Sequence, residues 1–116
     1  MESKEIVEGN RLIAEFMEGK IPGWPSDLKY HSSWDWIMPV IYKIESIYDN
    51  FHGYFGIYIH SNCCTIQGTK LDTRPESFHP AYMSDPNAIF KTKIESTWYN
   101  IVRFIEWRKS QIVKPL

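Results

Sequence analysis

A chain of 116 residues with 43% apolar and 16% aromatic side chains and 23% charged ones is sized for one hydrophobic core and lies far from compositions that stay unfolded. We therefore expect a single domain spanning residues 1–116. A net charge of −1 excludes bulk attraction to nucleic acid or anionic membrane, so any such binding must come from a local patch.

The charge is unevenly spread. Residues 1–69 carry five Lys/Arg against nine Asp/Glu, and residues 70–116 carry eight against five, or about −4 and +3 for the two parts. No run approaches the roughly 18 apolar residues of a membrane-spanning helix. Met1–Gly9 is acidic and polar, unlike a signal peptide, so the expected location is cytoplasmic.

In chain order, Ile6, Leu12, Ile13, Phe16 and Met17 recur on one face and predict a helix over Lys4–Glu18, ended by Gly19. Pro22, Gly23 and Pro25 make Ile21–Lys29 a loop, with Trp24 as its anchor. A second helix follows in YHSSWDWIMPVIYKIESIY, with Ser32 or Ser33 as cap and Asp35 favourable to the dipole. Its expected stripe is Trp34, Ile37, Met38, Ile41, Ile44 and Tyr48. At Pro39 either the helix kinks or its regular part begins at Met38 with Pro39 in the first turn, and a continuous helix with a local distortion is the expectation.

After Asp49 and Asn50 the period changes to two. Phe55, Ile57 and Ile59 alternate with Tyr54, Gly56, Tyr58 and His60, and Cys64 and Ile66 alternate within Cys63–Gln67, predicting a β-hairpin around Ser61-Asn62. Adjacent Cys63 and Cys64 are poorly placed for a mutual disulfide, and one of them is expected to pack inward. Gly68–Met83, with Pro75, Phe78, Pro80 and Tyr82, is either a long ordered loop or carries a third strand.

Ser84, Asp85 and Pro86 form a helix start, from which a last helix is expected over about Pro86–Ser110. Ile94, Trp98, Ile101, Ile105 and Ile112 form its seam, widened by Phe90, Thr97 and Phe104. The fold class expected is α+β, with three main helices packed on a small antiparallel sheet containing the hairpin.

Chemistry-bearing motifs are sparse. His31 and Asp35, four apart, could meet on one helical face as an acid/base pair or metal site, but Asp35 is already explained by the helix start. His52, His60 and His79 fall in loop or strand positions without metal-ligand spacing. No HExxH, GxSxG, GxxxxGK[ST] or GxGxxG run occurs. No catalytic residue, metal or cofactor is assigned.

Two surfaces suit binding. Tyr54, Tyr58 and His60 form the hairpin's outer face, and tyrosines are common interface anchors; the alternative is that a helix covers them as core. Arg103, Arg108, Lys109 and Lys114, with Lys91 and Lys93, make the last helix basic, and Tyr99 and Trp107 lie off its main seam. That combination suits single-stranded nucleic acid, although Glu95 and Glu106 interrupt it. The candidate partner-binding residues are Tyr54, Tyr58, His60, Arg103, Trp107 and Arg108.

Three segments, NRLIAEFM (Asn10–Met17), YHSSWDWIMPVIYKIE (Tyr30–Glu45) and KIESTWYNIVRFIEW (Lys93–Trp107), together resemble an uncharacterised family of short proteins of Bacteroidetes and their phages and prophages. The resemblance covers about a third of the chain and brings no catalytic residues. It implies a phage-type setting, and with it a binding protein that modulates or inhibits a host defence nuclease in the manner of anti-CRISPR proteins. The expected partner is a protein, a nuclease or its RNA complex, met by the acidic N-terminal half. The alternatives are a small nucleic-acid binder using the last helix and a small metal-dependent hydrolase or nuclease around His31 and Asp35.

Overall fold

The computed structural model describes residues 3–19, 28–49, 53–60, 63–68 and 92–113, apart from the side chains of residues 3, 49, 60, 63 and 111–113. The elements are helix α1 (Ser3–Glu18), helix α2 (Trp34–Glu45), strands β1 (Tyr48–Asp49), β2 (Gly53–His60) and β3 (Cys63–Gly68), and helix α3 (Lys93–Val113). The strands lie in the order β1-β2-β3 and pair antiparallel. Among the described residues this is the α+β arrangement expected, three helices with an antiparallel sheet built on a hairpin. Trp24, His52, Ser61, Asn62, residues 69–91 with the undecided third strand and the Asp85-Pro86 start, and Lys114 lie outside the described residues.

Helix α1 buries Gly9, Asn10, Ile13 and Ala14, which recur at the three- and four-residue spacing of one helical face. It ends where Gly19 turns to φ +79 and sends its N–H to the Glu15 carbonyl at 2.7 Å, a conformation that costs glycine least. The next carbonyl, that of Phe16, accepts from the Lys43 ammonium, which also sits 4.6 Å from the centre of the Phe16 ring. A cation from α2 thus satisfies an orphan acceptor at the negative end of α1.

The absence of a side chain at Gly9 lets α1 lie directly on α3. A Cβ there would stand 2.3 Å from Trp98 Cζ2 and 2.7 Å from Cη2. The ring cannot step aside easily, since Trp98 is 1% exposed and its indole is hydrogen-bonded. Gly9→Ala should therefore destabilise the fold by about 1–3 kcal/mol, overpacking outweighing the better helix propensity of alanine. Urea denaturation checks this, and a variant as stable as the parent would show that the helices are further apart than described.

Helix α2 runs without a break through Pro39. Proline removes the N–H that would bond to the Asp35 carbonyl, and both residues lie on the exposed side of the helix, where water can take the acceptor. Ser33 occupies the N-cap position in extended conformation, but its hydroxyl makes no capping bond. The buried face is Ile37, Val40, Ile41 and Ile44. The expected stripe overran the helix: the Ser46 N–H closes on the Tyr42 and Lys43 carbonyls, both at 3.1 Å, its hydroxyl donates to the Lys43 carbonyl at 2.6 Å, and the chain leaves the helix. Tyr48 is then in β1, opposite Tyr54, rather than on a helical seam.

The helix expected over about Pro86–Ser110 is not continuous at Thr92, which is a bend. Regular helix begins at Lys93, and Thr92 caps it, its Oγ1 accepting from the Glu95 N–H at 3.2 Å. The run Thr92-Lys93-Ile94-Glu95 is the capping-box pattern. Trp98, Ile101, Phe104, Ile105 and Trp107 are buried along the helix. Ser96, Thr97 and Asn100 are buried too, and each donates to a carbonyl of α3 itself, those of Lys93, Lys93 and Ser96 respectively. Bonding inward in this way lets polar side chains sit against apolar neighbours at reduced cost.

Helices α2 and α3 pack on one face of the sheet, the face that carries Phe55, Cys64 and Ile66 in the core with Ile57 and Ile59 packed against it, and α1 packs on those two helices. Phe55 meets Phe104 edge-on, with centroids 5.0 Å apart, and Trp107 at 6.2 Å. Cys64 is fully buried, as expected of one member of the cysteine pair.

Candidate functional site

The register settles which side chains share the sheet's other face. Residues directly opposite in an antiparallel pair project to the same side, as do residues two apart along a strand. Tyr48 lies opposite Tyr54, Gly56 opposite Gln67 and Tyr58 opposite Thr65. Tyr48, Tyr54 and Tyr58 therefore form one row on the face away from Phe55. They are 52%, 53% and 52% exposed, so of the two readings of this face the exposed one holds for Tyr54 and Tyr58. Tyr48 joins them, which the helical assignment of that residue had hidden. His60 ends β2 opposite Cys63, and its side chain lies outside the described residues.

The row is ordered by its own contacts. The Tyr48 and Tyr54 rings meet at 5.1 Å and 64°, an edge-to-face pair of the kind worth about 0.5–1.5 kcal/mol beyond area burial. Tyr58 leans over Gly56, where an added Cβ would come within 2.8 Å of its hydroxyl. Glycine at the centre of Tyr-x-Gly-x-Tyr thus gives the third ring a place to lie. Ordered rings lose little entropy when a partner covers them.

The basic helix is less available than its sequence implies. Trp107, read as a surface aromatic, is 9% exposed and packs against Phe55 and Phe104, so it cannot stack on a base. It is two residues from Ile105 and three from Phe104, and a sheet wide enough to meet a broad helical face takes it in. Arg103 is exposed, but its Nη1 donates to the Tyr99 hydroxyl at 3.1 Å and its guanidinium carbon lies 5.6 Å from that ring's centre. Lys109 is held by Glu15 at 2.9 Å. Arg108 is half-buried beside Leu12 and Phe16 in a small cleft between α1 and α3. Lys91 lies outside the described residues.

His31 and Asp35 do not form a pair. His31 Nδ1 lies 2.9 Å from Asn10 Nδ2, while Asp35 is exposed in the first turn of α2. Burial holds the His31 imidazole below its ordinary pKa. The Tyr30 phenol is pushed up, first by burial and then by the nearby Glu18 carboxylate, and its ring stands edge-on to Trp36 at 5.1 Å. Among the described residues no group of three or more His, Cys, Asp or Glu is placed to hold a metal ion, and no helix is long and apolar enough to cross a membrane.

Neither protein-family models nor curated proteins nor solved structures give a match to this chain.

The residue that the sequence reading passed over is Asn10. It is 1% exposed and bonds at once to Trp98 Nε1, the Leu28 carbonyl and His31. A signal for it was present: Asn10 stands four residues from Ile6 and Ala14 on the apolar stripe of α1, where an amide must be buried and therefore bonded.

Proposed function

We propose that this protein acts by binding another protein through the tyrosine row of its sheet, and that the partner is a host defence nuclease whose activity it modulates. The observation that carries the binding surface is the set of three half-exposed rings, Tyr48, Tyr54 and Tyr58, on the sheet face opposite the core. Tyrosine gives large contact area with a hydroxyl at its edge, and a β-sheet holds it in place, the combination found at interface anchor points.

The nuclease as partner rests on the resemblance to phage-type proteins and on charge. Glu5, Glu8, Glu18, Asp35 and Glu45 are exposed on α1 and α2, against exposed Lys4, Lys29 and Lys43 in the same region, and this acidic excess would favour a channel built to hold nucleic acid. Blocking such a channel requires a shaped surface and no catalytic group. The nucleic-acid alternative loses support from the burial of Trp107 and the pairing of Lys109, and the hydrolase alternative from the separation of His31 from Asp35.

Capture experiments from a bacterial host lysate test this reading. The parent protein should retain a nuclease that the Tyr54→Ala/Tyr58→Ala double variant loses, with affinity falling at least about thirtyfold, the equivalent of one strong interface anchor. Denaturation midpoints should stay close together, since both rings lie outside the core. Equal capture by parent and variant would remove the tyrosine row as the interface, and a retained partner that is no nuclease would remove the anti-defence role.

A further inference from the structure

The bonds around Asn10 fix the place of a proton on His31. The Trp98 indole N–H is a donor and nothing else, so the Asn10 atom 2.8 Å from it must be the amide oxygen. The Leu28 carbonyl is an acceptor and nothing else, and it lies 3.2 Å from the amide nitrogen. Two independent neighbours thus set the orientation of the Asn10 amide. Its second hydrogen then points at His31 Nδ1, 2.9 Å away, which must accept. His31 is held as the neutral imidazole with its proton on Nε2.

We infer that the Asn10–His31 bond is an acid-labile fastener of α1: a proton arriving at Nδ1 turns the acceptor into a donor, sets two N–H groups against each other, and lets α1 open more readily. Asn10 is 1% exposed, so water cannot readily replace the lost acceptor. The amide also ties α1 to two distant parts of the chain, the turn before α2 and, 88 residues away, α3. An orphaned amide hydrogen is felt by all three.

The charged groups on the surrounding elements leave this dependence with His31. Beside Asn10 on α1, Arg11 is paired with Glu8 at 3.6 Å, and Glu18 acts on Tyr30. Lys29 and Asp35, which flank His31 in sequence, are exposed. From α3 the group facing the site is the neutral indole of Trp98. Burial is the cause that depresses the His31 pKa, with no charged neighbour among the described residues contributing. A histidine depressed in the folded state gives its full support above the unfolded value of about 6.5. That support is lost as the pH falls from there through the lower folded value, and no further loss follows below it.

Amide hydrogen exchange on the full chain at pH 7.5 and 5.0, corrected for intrinsic rates, tests the proposal. Opening of Leu12–Met17 should rise several-fold at pH 5.0, with a ceiling of about tenfold for each unit by which the two pKa values differ. His31→Asn puts an amide oxygen near the place of Nδ1 and removes the titration, so its α1 protection should be the same at both pH values. Unchanged α1 exchange in the parent, or the same acid response in the variant, overturns the proposal. If the variant does not fold, nitrogen NMR of the parent imidazole at neutral pH decides. An unprotonated Nδ1 that titrates together with α1 exchange supports the fastener, and a proton on Nδ1 overturns it.

Discussion

Trp98→Ala should be the most damaging single change in the protein, costing about 3–5 kcal/mol for the lost ring and about 1–3 more for the Asn10 oxygen left buried without a donor. The indole is 1% exposed, fills the space that Gly9 leaves open, and donates to Asn10 at 2.8 Å. Two variants separate these contributions. Trp98→Phe keeps much of the ring but removes the N–H, so it should lose about 1–3 kcal/mol, well short of the alanine variant. Urea denaturation reads both. A phenylalanine variant as stable as the parent would mean that the Trp98–Asn10 bond contributes nothing, and the fastener at His31 would lose its anchor.

Trp107→Ala ranks next, at about 3–5 kcal/mol. Its ring closes the aromatic group with Phe55 at 6.2 Å and Phe104 at 5.9 Å, between the sheet and α3. Were Trp107 the surface aromatic of a nucleic-acid site, truncation would change stability by no more than about 0.5 kcal/mol. The two outcomes are too far apart to confuse. A cycle with Phe55→Ala adds a second reading, since residues in contact share part of their loss and the double variant should fall short of the sum by about 0.5–1.5 kcal/mol.

The elements were largely legible from local pattern. Apolar spacing placed α1, and Gly19 marked its end because an unbranched backbone turns to positive φ at least cost. Alternation in Phe55, Ile57 and Ile59 placed β2 and told its two faces apart. The bounds failed where two local signals competed. Tyr48 fits the helical stripe by spacing, but Ser46 ends the helix and pairing with Tyr54 draws the next residues into the sheet. The expected continuity of the last helix failed at Thr92 too, where a cap opens the regular turns that begin at Lys93.

Of the candidate surface, sequence placed Tyr54 and Tyr58 outward and could not say whether another element covered them. By itself the sequence determined the period of each segment and therefore which side chains share a face, because backbone geometry repeats every 3.6 or every 2 residues whatever lies nearby. Only the tertiary structure decided which faces meet. It put Trp107 inside, brought Tyr48 beside Tyr54, and joined Asn10 to His31 and Trp98, since burial and hydrogen bonding depend on neighbours up to 88 residues away that no local repeat can encode.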